Sequence, residues 1–254
     1  MKRTLNILST ALAIGVLSMG LAAETTGAAR YDEQIQARVE KQLAEKKEFR
    51  NVQAQTDDGI VTLTGSVDIY QQKLNVAKKV RKADKVQGVH NLVAVSTNVS
   101  DDQLTAQLNR KLYYDRIGFD NRFNFVTASI KDGIVVLVGE TRTDVSSDSA
   151  ESIAANMAGV KEVVNNIKVA PASNFDDDIR VSALRAIYRD PVLSRYAGDP
   201  ASPIRIVVDH GTLSLYGTVE NEMDKNIAGL RAAQVFGAFK VQNNLEVSSR
   251  TAKS

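Results

Sequence analysis

Apolar residues recur along this chain in two periods, and the pair of periods is repeated three times. Ile35, Val39 and Leu43 stand four apart behind Asp32. Leu104, Leu108 and Leu112 do so behind Asp101 and Asp102, and Ile179, Ala183 and Ile187 behind Asp176 to Asp178. A period near four with an acidic start is the pattern of an amphipathic helix and its N-cap. A period of two follows, clearest in SPIRIVVDH, where Ile204, Ile206 and Val208 share one face. The pairs Asp58-Gly59, Asp132-Gly133 and His210-Gly211 then interrupt the alternation. A glycine-containing pair between two alternating runs predicts a hairpin, because a type I′ turn needs positive φ at both central positions.

The phrases DGIVTLTGSV, DGIVVLVGET and HGTLSLYGTV each supply a turn and the second hairpin strand. Gly65, Gly139 and Gly217 are expected to end that strand, where a bend or a close backbone contact excludes a side chain. A second helix is predicted over about 68–85, 146–158 and 221–235, and a third strand ending at Val95, Val169 and Val247. That strand follows a helix, so it is expected to pair in parallel through a right-handed crossover. Gly59, Gly133 and Gly211 lie 74 and 78 residues apart, longer than solenoid repeats of ~20–50 residues. The fold class is therefore α+β: three tandem small αββαβ domains, each a three-stranded mixed sheet with two helices on one face. The expected units are 31–97, 101–170 and 176–248, with breaks at STNVSD and APASNFD, where polar residues and Pro171 interrupt the periodicity.

The first 23 residues change the charge picture. Lys2 and Arg3 precede an uncharged apolar stretch from Leu5 to Leu21, followed by Ala22 and Ala23. This predicts a signal peptide over 1–23 and an exported protein, periplasmic if the source is Gram-negative. No transmembrane segment is expected after cleavage. Without Lys2 and Arg3 the 32 basic residues fall to 30, against 30 acidic ones. A neutral mature chain disfavours a nucleic-acid partner. With no cysteine there are no disulfides, no thiolate catalysis and no Cys-based metal site.

The order αββαβ, the DGxVxLxG strand and a closing GVxxVxNxxxV resemble the BON-domain family. GVKEVVNNIKV at 159–169 and GAFKVQNNLEV at 237–247 carry the closing pattern, the latter with Phe239 in the apolar slot. In the first copy Gly88-Val89 is followed at once by His90-Asn91-Leu92, so its last turn is expected to be shortened or re-registered. The resemblance implies binding to membranes or phospholipids, or support of the cell envelope under stress. It brings no catalytic residues.

Direct inspection finds no chemistry to add. No Ser sits in a nucleophile elbow, and there is no phosphate loop, no His-x-x-x-His and no calcium-loop pattern. No enzyme activity, cofactor or metal is expected. Paired carboxylates read as helix caps and turns, and His210 as a solvated turn residue, while His90 sits beside the third strand of the first copy. Two features stand out. On the second helix of the first copy, Lys78, Lys79, Arg81, Lys82 and Lys85 fall in one arc opposite Ile69, Val76, Ala77, Val80 and Ala83. The matching helix of the second copy is acidic. The basic arc is either a solvated face or a site for an anionic partner, an anionic phospholipid or envelope surface first among them. The second feature is a long connection in copy two with Tyr114, Arg116, Phe119 and Arg122 as a candidate interaction loop. The alternative reading is an array of modules that binds proteins.

Overall fold

A computed structural model describes residues 27, 29–96, 99–115, 121–199 and 203–248. The expected signal peptide, Arg116 and Phe119 lie outside the described residues.

The first module runs α1 (Asp32–Ala44), β1 (Val52–Asp57), β2 (Ile60–Val67), α2 (Tyr70–Arg81), β3 (Gly88–Asn91) and β4 (Ala94–Val95). The second runs α3 (Asp101–Tyr114), β5 (Phe125–Lys131), β6 (Ile134–Thr141), α4 (Asp144–Ala155) and β7 (Glu162–Val169). The third runs α5 (Asn174–Tyr188), β8 (Ile204–Asp209), β9 (Thr212–Val219), α6 (Glu222–Ala233) and β10 (Lys240–Val247). In each module the hairpin strands pair antiparallel, and the last strand joins the second hairpin strand in parallel. In the first module that last strand is interrupted into β3 and β4, both of which pair with β2.

Each core forms where the apolar helix stripes meet one sheet face. Ile35, Val39 and Leu43 of α1 and Val76 and Val80 of α2 pack on Val52, Val61, Leu63 and Val67. Leu63, Leu137 and Leu215 hold the same central-strand position and are fully buried. Truncating any of them to Ala would cost about 2–5 kcal/mol.

The hairpin turns have positive φ at both central residues: 48° and 76° at Asp58-Gly59, 55° and 79° at Asp132-Gly133, 47° and 72° at His210-Gly211. The strand glycines do not end their strands, since β2, β6 and β9 continue two residues past them. Their role is close approach. A Cβ on Gly65, Gly139 or Gly217 would lie 1.9–2.1 Å from the carbonyl oxygen of Asn51, Phe125 or Pro203.

Two further expectations are corrected. The first copy is neither shortened nor re-registered: Gly88, Glu162 and Lys240 occupy the same register position against Ile60, Ile134 and Thr212. The residue matching Gly159 and Gly237 is therefore Lys85, and its φ of 69° repeats their 99° and 90°. The helix-start carboxylates do not cap: the N-cap residues are Tyr31, Ser100 and Ser173, and the two serine side chains accept from the N–H groups of Gln103 and Asp176. Asp32 accepts hydrogen bonds from the backbone N–H groups of Asp58 and Gly59, both at 2.8 Å. Asp101 does the same for Asp132 and Gly133 at 2.6 and 2.9 Å, and Asp176 for His210 and Gly211 at 3.1 and 2.8 Å. Each module thus has a carboxylate that clasps its own hairpin turn to its first helix.

A repeated asparagine ties the last strand to the second helix. The side-chain amide of Asn91 donates to Lys73 O, that of Asn243 to Lys225 O, and that of Asn165 to Ser147 Oγ and Glu151.

Candidate functional site

The basic helix α2 is fixed at one end and open at the other. At its start, Gln72 Oε1 accepts from the backbone N–H groups of Asp68 and Ile69 at 2.9 and 3.3 Å. Tyr70 packs against the cores of both the first and the second module. Ile69 forms a single antiparallel bridge to Ala158. Burial, then the nearby Glu162 carboxylate, raises the Tyr70 hydroxyl above its ordinary pKa. Val76, Val80 and Ala83 are buried in the first core.

The five basic residues of the predicted arc do not act alike. Lys78, Arg81 and Lys82 are exposed and pair with no carboxylate among the described residues. Lys79 is half-buried: its Nζ donates to Gln42 O at 3.0 Å and pairs with Glu45 at 3.2 Å. The helix ends at Arg81, so Lys85 lies beyond it at the left-handed turn, with its Nζ 5.3 Å from the Tyr31 ring centre. The free basic surface is therefore three residues at the C-terminal end of α2. The adjoining stretch Lys46-Lys47-Glu48, also exposed, follows Glu45 directly.

The candidate interaction loop belongs largely to a junction between modules. Tyr114 is exposed and meets Tyr113 edge-on with ring centres 5.1 Å apart. Arg122 lies in the short 3-10 turn Asn121–Phe123 and is half-buried. Phe123 packs inward, but into the third module's core rather than its own. Phe125 stacks on Tyr216 across the junction, centres 4.4 Å apart and planes 7° from parallel. Arg205, 3% exposed, donates to Tyr113 O at 2.6 Å and to Asn121 O. Burial pushes the Tyr113 hydroxyl up to about 12. A cavity of about 190 Å³ lies here, lined by Asn109, Asn124, Arg205, Asn244 and Glu246 among others. At the edges of the same junction Arg142 pairs with Asp177 at 2.8 Å, and Lys168 with Asp209. The alternation in SPIRIVVDH marks only the inward face of β8. The burial of Arg205 and Val207 shows that its other face is covered too, and the signal is Val207, an apolar residue on the face opposite Ile204, Ile206 and Val208.

His210 is exposed and its Nδ1 lies 2.7 Å from Asp209 Oδ1, with no nucleophile in the contact. Among the described residues no group of three or more His, Cys, Asp or Glu side chains is placed to hold a metal ion, and no helix is long and apolar enough to cross a membrane. The fold defines an array of three small αββαβ modules. The chain belongs to the BON-domain family: the BON domain matches residues 31–97, 100–171 and 176–249. Among characterised proteins it is similar to osmotically-inducible protein Y of Escherichia coli (strain K12), 29% identical over 54% of this chain and 72% of that one. Two solved structures of CdsD, a structural protein of the type III secretion system of Chlamydia trachomatis, are also similar. One is 15% identical and the other, its C-terminal domain, 14%; both cover 83% of this chain, and 90% and 95% of their own, with TM-scores of 0.25.

Proposed function

We propose that this is a non-enzymatic, exported envelope protein that binds anionic phospholipid surfaces through the exposed end of α2 and supports the envelope under osmotic stress. The observation that carries the reading is the set Lys78, Arg81 and Lys82, without acidic partners among the described residues, on a helix whose opposite end is docked on the second module. The relative's name supplies the osmotic context. Each cation near an anionic leaflet contributes ~1 kcal/mol, so three give a reversible attachment that salt weakens. A variant with Lys78→Gln, Arg81→Gln and Lys82→Gln should keep the fold, because the core side of α2 is untouched. It should bind phosphatidylglycerol-containing vesicles roughly a hundredfold more weakly than the parent. Equal binding by variant and parent, or no binding by the parent, refutes the reading.

One observation favours a second reading, a protein-binding array. Ile134, Val138 and Val164 are 37–42% exposed on the open sheet face of the second module. If anionic vesicles fail to bind, that face becomes the leading candidate.

A further inference from the structure

Phe236 is 96% exposed, Phe239 80% and Phe175 46%, and all three belong to one end of the third module. Phe175 opens α5, while Phe236 and Phe239 flank the turn between α6 and β10. The rings of Phe175 and Phe239 stack with centres 5.6 Å apart. The backbone beneath them is firmly held. Phe239 N–H donates to Gly211 O at 2.9 Å, and Asp176 clasps the turn at His210-Gly211. The other modules carry no such cluster. By register, Phe239 matches Gln87 and Lys161, whose N–H groups donate to Gly59 and Gly133. Phe236 matches Asp84 and Ala158, and Ala158 is where the first module seats through Ile69. The third module's tip has three phenylalanines there and no seated neighbour among the described residues.

We infer that this tip inserts into the apolar margin of a lipid bilayer, as a second membrane contact independent of headgroup charge. The size of the patch points to lipid. At about 200 Å² per exposed aromatic side chain, the three rings offer roughly 450 Å². That matches the largest apolar patch of an ordinary monomer, about 300–600 Å² and often functional. It falls well short of the ~800 Å² per partner of a stable protein interface. Phe236 is almost fully exposed, and a bilayer needs no complementary pocket to receive such a side chain. Charge agrees as well. Asp176 is satisfied by the turn, Asp177 is paired with Arg142 and Arg180, and Asp209 with Lys168. Asp177 and Asp209 are thus ion-paired, which lowers the cost of bringing them to an apolar boundary, and of the acids beside Phe175 Asp178 is the one that faces solvent.

The chain contains no tryptophan, so Phe236→Trp provides a single fluorescent reporter at the tip. Adding vesicles of phosphatidylcholine alone should shift its emission to the blue, equally at low and high salt. In the parent chain, Phe236→Ser with Phe239→Ser should weaken partitioning onto those vesicles at least about tenfold, with an unchanged thermal midpoint since both side chains lie outside the core. The neutralised α2 variant should still bind phosphatidylcholine, which separates this contact from the one proposed for the first module. Unchanged emission at saturating phosphatidylcholine overturns the inference. So does a blue shift that rises with protein concentration in the absence of vesicles, accompanied by a dimer in sedimentation, because the tip would then be a contact between copies.

Discussion

Removing the turn-clasping carboxylate tests how these modules are held together, and the structure grades the outcome. Asp176 is 2% exposed and accepts two backbone N–H bonds at 3.1 and 2.8 Å. Hydrogen bonds to a charged group contribute about 1.5–3 kcal/mol each, and an unsatisfied buried donor costs about 1–3 kcal/mol. Asp176→Ala removes both bonds and leaves the buried Gly211 N–H without a partner, so a loss of about 3 kcal/mol is expected. Asp176→Asn keeps one acceptor but sets its NH₂ against the second N–H, for a loss of about 2 kcal/mol. Asp32 and Asp101 make the same pairs of bonds but are only half-buried. Water can replace them there, and each Ala variant should lose about 1 kcal/mol. Three modules need not unfold in one step, so amide hydrogen exchange at residues 58–59, 132–133 and 210–211 is the suitable assay, with calorimetry beside it. Each substitution should speed exchange at its own turn far more than at the other two. An Asp176→Ala effect within about 0.5 kcal/mol, the range of ordinary surface changes, would refute the argument, as would a larger loss at Asp32 than at Asp176.

Lys85→Gly should stabilise the first module by about 0.5–1 kcal/mol in urea unfolding. It relieves a left-handed residue at φ 69°, and that gain exceeds the entropy cost of glycine; destabilisation would show that the Lys85–Tyr31 contact outweighs the strain. Acid should open the junction between the second and third modules. The Lys168 hydrogen bond holds the Asp209 carboxyl below its usual range; burial pushes the Asp177 carboxyl up, but Arg142 and Arg180 more than reverse this. Both folded pKa values lie below the unfolded ones. Their contribution is therefore complete above the ordinary carboxylate range of about 4 and vanishes as pH falls through the folded values. Small-angle scattering should show the chain extending over that window, and an unchanged radius there would mean that Phe123, Phe125 and Arg205 hold the junction without the ion pairs.

The fold was legible because its signals are local. Asp58-Gly59, Asp132-Gly133 and His210-Gly211 fix the turns through backbone sterics alone, and the four-residue stripes fix which helix face is buried. The misplaced turn of the first copy and the place given to Lys85 share a cause. Alignment by glycine placed Gly88-Val89 against Gly159-Val160, yet the left-handed turn position in the first copy is filled by Lys85. A lysine carries no mark in sequence of positive φ, so the helix was extended through it and Lys85 was assigned to the basic face. The clasp of Asp32, Asp101 and Asp176 was hidden for a different reason. A carboxylate at a helix start looks the same in sequence whether it serves its own helix or a turn some thirty residues away.

What lies between modules was least legible, because a repeated pattern describes only what the copies share. The shared residues, such as Leu63, Leu137 and Leu215 or Asn91, Asn165 and Asn243, hold each unit together and are constrained to remain alike. Function has to be sought where equivalent positions diverge. Register provides that comparison: Gln87, Lys161 and Phe239 form one such set, and Asp84, Ala158 and Phe236 another. At this one end of the unit, the second module receives its neighbour on Ala158, while the third exposes phenylalanine. The α2 cations follow the same logic, since the corresponding α4 carries Asp148 and Glu151, and Glu151 is engaged in holding Asn165. A charged contact at the first module and an apolar one at the third would engage a bilayer at two separated points. The second contact then forms at the raised local concentration set by the tether between them, so two weak attachments yield a firm one.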